Sequence, residues 1–179
     1  IERKPVNHSR PMSKADLNQY FAALLQYKGH RVTVIALQLL PMLFTRTGEL
    51  RCARWSEFDL DGAVWEIPAE RMKMRRKHVV PLPVQAVELL RELRRITPGE
   101  LCFPGLAHPD KPLGPTTLNR ALEYLSMGQW HCHDFRATAS TWLYESGKWR
   151  AEVIELQLAH SEGSKTKAAY NHAQYLDER

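Results

Sequence analysis

Apolar residues recur at helical spacing along most of this chain, and one stretch in the middle alternates instead. Ser13 makes a good N-cap with Asp16 three residues on, close to a capping box. Leu17, Tyr20, Phe21, Leu24 and Leu25 follow at intervals of three and four up to Gly29, which predicts a helix. Positions 32–44 are apolar nearly all round and predict a buried helix, kinked or restarted at Pro41. Arg46-Thr47-Gly48-Glu49-Leu50 reads as a turn feeding a short helix through Trp55. Positions 64–68 and 78–82 alternate as short strands, with Asp61-Gly62 as the turn before the first. Val84, Val87, Leu90 and Leu93 recur every three residues and predict a helix over 83–95. Prolines and glycines crowd 97–115, an irregular loop. Helices are predicted again over 116–127, from His133 to a stop at Gly147, over 151–159, and over 165–176. The expected fold is mainly α with a small antiparallel β-sheet, an α+β arrangement.

Composition narrows this picture modestly. The chain has 179 residues, with 44% hydrophobic and 25% charged, ordinary for a soluble globular domain. Three scattered cysteines form no CxxC pair, so a disulfide framework is not expected and a reducing compartment is. No apolar run reaches membrane-spanning length, and the first residues are polar and basic rather than a signal peptide. Positions 1–11 read as a linker following an absent N-terminal domain, and 12–179 as one domain. The net charge of +5 suits a polyanionic partner without naming one. The five tryptophans are expected in the core, with Trp55 or Trp65 backing Arg46.

The candidate chemistry lies in the cations. His133-Asp134-Phe135-Arg136 opens a helix, with Asp134 in the first turn, where the helix dipole favours a carboxylate. His133 and Arg136 are three apart and share a face, a pocket for phosphate. Arg46, Lys73 and His160 lie on other elements. If these groups converge, they stabilise a pentavalent phosphorane while a nucleophile attacks a phosphodiester. Arginines would hold the non-bridging oxygens and a lysine or histidine would protonate the departing 5′ oxygen. No metal and no other cofactor is needed. The nucleophile would be a tyrosine, whose phenol (pKa about 10 in water) must ionise in that field. A zinc reading of His131-Cys132-His133 fails, because ligands two apart on a helix diverge and no second pair completes the site.

These segments resemble the catalytic domain of the tyrosine recombinases, the phage integrase family, in its P4-type branch. Arg46-Thr47-Gly48-Glu49-Leu50 is similar to the first-arginine box, with Thr47 where proline is usual. Trp55-Ser56-Glu57-Phe58-Asp59 is similar to the stretch that follows it. Lys73 matches the β-hairpin lysine, His133-Asp134-Phe135-Arg136 the His-x-x-Arg box, and Leu158-Ala159-His160 the Leu-Gly/Ala-His box. Ala168-Ala169-Tyr170-Asn171 matches the segment bearing the nucleophile. The resemblance runs over residues 12–179.

The resemblance implies that Arg46 and Arg136 bind the scissile phosphate, with Glu49 supporting Arg46. Lys73 would protonate the leaving oxygen, and His133 and His160 would assist. Tyr170 would attack to form a 3′-phosphotyrosine, without ATP. Tyr175 remains a rival nucleophile. Arg71, Arg75, Arg76 and Lys77 compete with Lys73 and are otherwise expected to grip the DNA backbone. The implied partner is double-stranded DNA at attachment sites, bound as a homotetramer by a protein that is a monomer when free. The implied location is the bacterial cytoplasm, at the nucleoid, with no membrane contact. The implied function is site-specific recombination for integration or excision of a mobile element. Type IB topoisomerase-like relaxation, or a DNA-binding module without catalysis, stand as alternatives.

Overall fold

The computed structural model describes residues 11–160 and 174–179. Helix α1 (Lys14–Gln26) starts at the expected capping box: Ser13 Oγ accepts from the Asp16 N–H at 3.1 Å, and Asp16 Oδ2 accepts from the Ser13 N–H at 2.8 Å. Helix α2 (Arg31–Leu43) is buried on nearly every side and forms the axis of the domain, in contact with α3 (Thr47–Arg51), α4 (Val84–Ile96), α5 (Thr117–Tyr124) and α6 (Cys132–Ser146). Tyr20 joins α1 to this centre. Its hydroxyl donates to the Leu37 carbonyl at 2.8 Å, and its ring lies 4.6 Å from that of Phe135.

The sheet is β1 (Phe58–Asp59), β2 (Val64–Ile67) and β3 (His78–Pro81), antiparallel in that order. Trp65 pairs with Val80 and Ile67 with His78, so these four side chains share the face turned to the core. Helix α7 (Ala151–Gln157) packs on α6. No helix among the described residues is long and apolar enough to cross a membrane.

The fold is the one expected, mainly helical with a small antiparallel sheet. Several local expectations change. Helix α2 runs through Pro41 without restarting; the Leu37 carbonyl, which the proline leaves without an N–H, accepts instead from the Tyr20 hydroxyl. The short helix after Arg46 ends at Arg51, and a separate 3-10 turn spans Trp55–Glu57. Strand β1 was not legible, being two residues long. Val84 is exposed, unlike the rest of the α4 stripe. Trp142 and Trp149 are exposed rather than core, whereas Trp65 and Trp130 are buried. The last expected helix lies outside the described residues except at its end, where Tyr175 is left-handed (φ 46°) and a 3-10 turn follows over Leu176–Glu178.

Candidate active site

The site forms where α2 ends, α3 and α6 begin, and α7 stops. The chain leaves α2 through Phe44 in a left-handed conformation (φ 56°) and places Arg46 at the N-cap of α3. Glu49, at the third position of α3, then closes on it twice. Its Oε2 accepts from the Arg46 backbone N–H and its Oε1 from Arg46 Nη1, both at 2.7 Å. Glu49 is buried, so one carboxylate caps the helix and aims the guanidinium together.

Arg136 comes from the first turns of α6 and is 5% exposed. Its Nη1 donates to the Phe44 carbonyl at 2.7 Å, so the strained residue at the end of α2 is the one that seats it. Its buried Nη2 has no hydrogen-bond partner among the described residues. Burial, and then the charge of Arg46, push its pKa down to about 10, which leaves it cationic at neutral pH. Two guanidiniums held together with one buried donor unspent make a site for an anion with several oxygens.

His160 enters from the end of α7. Ala159 is left-handed (φ 46°), the Ala159 N–H reaches the Leu156 carbonyl and the His160 N–H the Glu155 carbonyl, a Schellman closure. Arg46 Nη2 lies 3.5 Å from the Ala159 carbonyl, tying this turn to the first arginine. His133 is exposed and Arg136, one turn further on, is buried. Lys73, Arg75 and Arg76 are exposed on the segment between β2 and β3. Lys77 is half-exposed and ion-paired with Glu66 at 2.7 Å. Tyr170 lies outside the described residues. Tyr175 is described, with the Arg150 guanidinium 4.6 Å from its ring centre.

Arg71 differs from the expectation for the basic run. Its side chain is 18% exposed, with Nη1 ion-paired to Glu57 and Nη2 donating to the Glu49 carbonyl. Glu57, 5% exposed at its side chain, also accepts from Trp65 Nε1 at 2.9 Å. A buried carboxylate demands a cation, and Arg71 serves as that cation beneath the Arg46 turn. It acts as a strut between Glu57 and the Glu49 carbonyl.

Sequence reasoning missed His78, the buried neighbour of the arginines. It stands on the inward face of β3 and is 5% exposed. Burial, and then Arg179, Arg136 and Arg46, push its pKa down to about 3, against a hydrogen bond to the Gln157 backbone that raises it. The signal available was the alternation His78, Val80, Leu82, which puts a polar ring among inward residues. Because the folded pKa is depressed, His78 contributes stability that is full above the unfolded value near 6.5 and is lost as pH falls toward 3. Urea unfolding should show stability falling by up to about 2 kcal/mol between pH 6.5 and 5. His78→Gln should be less stable at neutral pH but flatter over that window; an unchanged slope would refute the assignment.

The sequence pattern of the phage integrase family matches residues 10–176. The chain belongs to the phage integrase family. It is 39% identical over 189 residues to the integrase of Enterobacteria phage P4, covering 96% of this chain and 43% of that protein. It is also 39% identical over 181 residues to the prophage integrase IntZ of Escherichia coli strain K12, covering 99% of this chain and 44% of the relative. The chain thus spans less than half the length of these relatives. Among solved structures, the fold is similar to that of the Tn1549 transposon integrase in complex with transposon right end DNA. The TM-score is 0.71 at 12% identity, over 97% of this chain and 65% of that one. In this fold Arg46 is held by Glu49 and Arg136 by the Phe44 carbonyl.

Proposed function

We propose that this chain is the catalytic domain of a site-specific DNA recombinase that cleaves and rejoins strands through a covalent 3′-phosphotyrosine, for integration or excision of a mobile element. The observation that carries the reading is the buried Nη2 of Arg136 beside Arg46, without a hydrogen-bond partner among the described residues. A phosphodiester supplies what that site lacks: a charge to offset two guanidiniums and oxygens for their free donors. Arg46 and Arg136 hold the non-bridging oxygens. Tyr170 attacks phosphorus, and the 5′ oxygen departs with a proton from exposed Lys73. His133 and His160 assist, His133 as base toward the phenol. The phosphotyrosine keeps the energy of the broken bond, so rejoining needs no ATP.

The partner is double-stranded DNA at attachment sites. Support comes from the exposed cations Lys73, Arg75, Arg76 and Lys77, and from the DNA-bound state of the similar transposon integrase. The assembly is a homotetramer on DNA and a monomer when free, in the bacterial cytoplasm at the nucleoid. Residues 1–11 link to a preceding DNA-binding domain, and 12–179 form the catalytic domain. The test is recombination between paired attachment sites by the full-length protein, in chelator and without ATP. Recombinant junctions are the expected product. Relaxation of site-free supercoiled DNA without any junctions would overturn the reading in favour of a topoisomerase.

A further inference from the structure

Glu155 on α7 lies between the site and α6 and has no role in the reading above. Its Oε2 is 3.0 Å from His160 Nδ1, and its Oε1 accepts a 2.7 Å hydrogen bond from the Tyr144 hydroxyl. The backbone fixes this meeting. The left-handed Ala159 turns the chain back, and the His160 N–H bonds the carbonyl of Glu155 itself at 2.9 Å. The imidazole therefore folds over the turn of α7 that carries the carboxylate. The side chains are 40% and 30% exposed, so the pair is partly withdrawn from water. The charge of Glu155 also reaches Arg136, whose cationic form it favours. One carboxylate thus touches His160 and also reaches Arg136.

We propose that Glu155 is a positioning residue for His160: it holds Nδ1–H and so presents Nε2 as the nitrogen facing the phosphate, with Tyr144 from α6 fixing the carboxylate. The inference rests on His160 belonging to the strand-cleavage site. Its physical basis is simple. An ionised carboxylate only accepts, so the nitrogen it touches must be the protonated one. The free nitrogen is then Nε2 in every protonation state. When the ring carries both protons, its Nε2–H can bond a non-bridging phosphate oxygen. Tyr144 completes the arrangement. Its hydroxyl is pushed up to about 12, first by the bond to Glu155, so it stays protonated and a donor over the working range. The second oxygen of Glu155 is thereby occupied, and the carboxylate has one rotamer in which to meet the ring.

The test combines two readouts on the full-length protein. Single-turnover cleavage of a nicked suicide DNA substrate is measured at saturating DNA, beside DNA affinity. The His160 tautomer is read from its imidazole nitrogen chemical shifts in the protein without DNA. Glu155→Ala should cleave on the order of 10- to 100-fold more slowly, as for other carboxylates that orient a working histidine, with DNA affinity unchanged. Glu155→Gln, which still accepts through its amide oxygen, should recover part of the loss. The wild-type ring should carry its proton on Nδ1, and Glu155→Ala should move the population toward Nε2–H. Tyr144→Phe changes only an exposed hydroxyl and is the fallback should Glu155→Ala misfold. It should slow cleavage several-fold and shift the tautomer partway. A wild-type tautomer in Glu155→Ala, or a shifted tautomer with full cleavage, would overturn the proposal. If the wild-type protein cleaves no DNA at all, the recombinase reading fails separately, while the tautomer still judges the Glu155–His160 pair.

Discussion

Replacing Arg136 with lysine should slow single-turnover strand cleavage about 100- to 1,000-fold, the loss seen when one preorganised donor to a transition-state oxygen is removed. DNA affinity should change little, because the exposed cations supply most of the backbone contact. The reason is geometric. Arg136 divides its fork between Nη1, which the Phe44 carbonyl fixes, and Nη2, which has no partner among the described residues and is left for the ligand. A lysine brings one ammonium for both tasks. If it keeps the carbonyl, the phosphate loses its donor; if it turns to the phosphate, the seat at Phe44 is lost. Cleavage within a few-fold of wild type would mean that Arg136 is a structural cation. The variant should fold, since charge and most of the buried stem are retained.

Glu57→Ala should instead lower stability by about 3 kcal/mol and the melting temperature by roughly 6–12 °C. Removing Glu57 strands two groups at once: the Arg71 guanidinium, little exposed and then without its counter-charge, and the indole N–H of buried Trp65. Arg71 also donates to the Glu49 carbonyl, so the turn that aims Arg46 should loosen, and cleavage should fall even below the new melting point. Arg71→Ala should reproduce much of the destabilisation. Arg75→Ala and Arg76→Ala should leave melting unchanged and each lower the log–log salt slope of DNA binding by about one. If Arg71→Ala melts normally and flattens the salt slope like its neighbours, the strut role is wrong.

The contrast between Arg71 and Arg75 shows what the sequence could reveal. Helices with a clear apolar period and a cap, such as the one opened by Ser13 and Asp16, were legible because their determinants lie within one turn. So was the pairing of Arg46 with Glu49, which is local to α3. A run of like charges carries no such information. Which of Arg71, Lys73, Arg75, Arg76 and Lys77 turns inward depends on a carboxylate fourteen residues away from Arg71, at Glu57, across the β1–β2 turn. His78 was hidden for a related reason: its strand was read from its valines, while its environment is made by α7 and by arginines from three other parts of the chain. Glu155 was hidden because its partner is reached through a left-handed alanine, a conformation that spacing alone does not predict. Tyr170, by contrast, rests on the resemblance alone.

Strand cleavage by this protein is tested most directly at Tyr170. A nicked suicide substrate carrying the element's crossover site is incubated with the full-length protein, denatured, and resolved on a gel beside Tyr170→Phe and Lys73→Ala. The wild type should give a protein–DNA adduct, Tyr170→Phe none, and Lys73→Ala only slow accumulation unless the leaving 5′ oxygen is replaced by sulfur. An adduct undiminished in Tyr170→Phe, or clear DNA binding with no adduct from the full-length protein, would contradict cleavage through Tyr170.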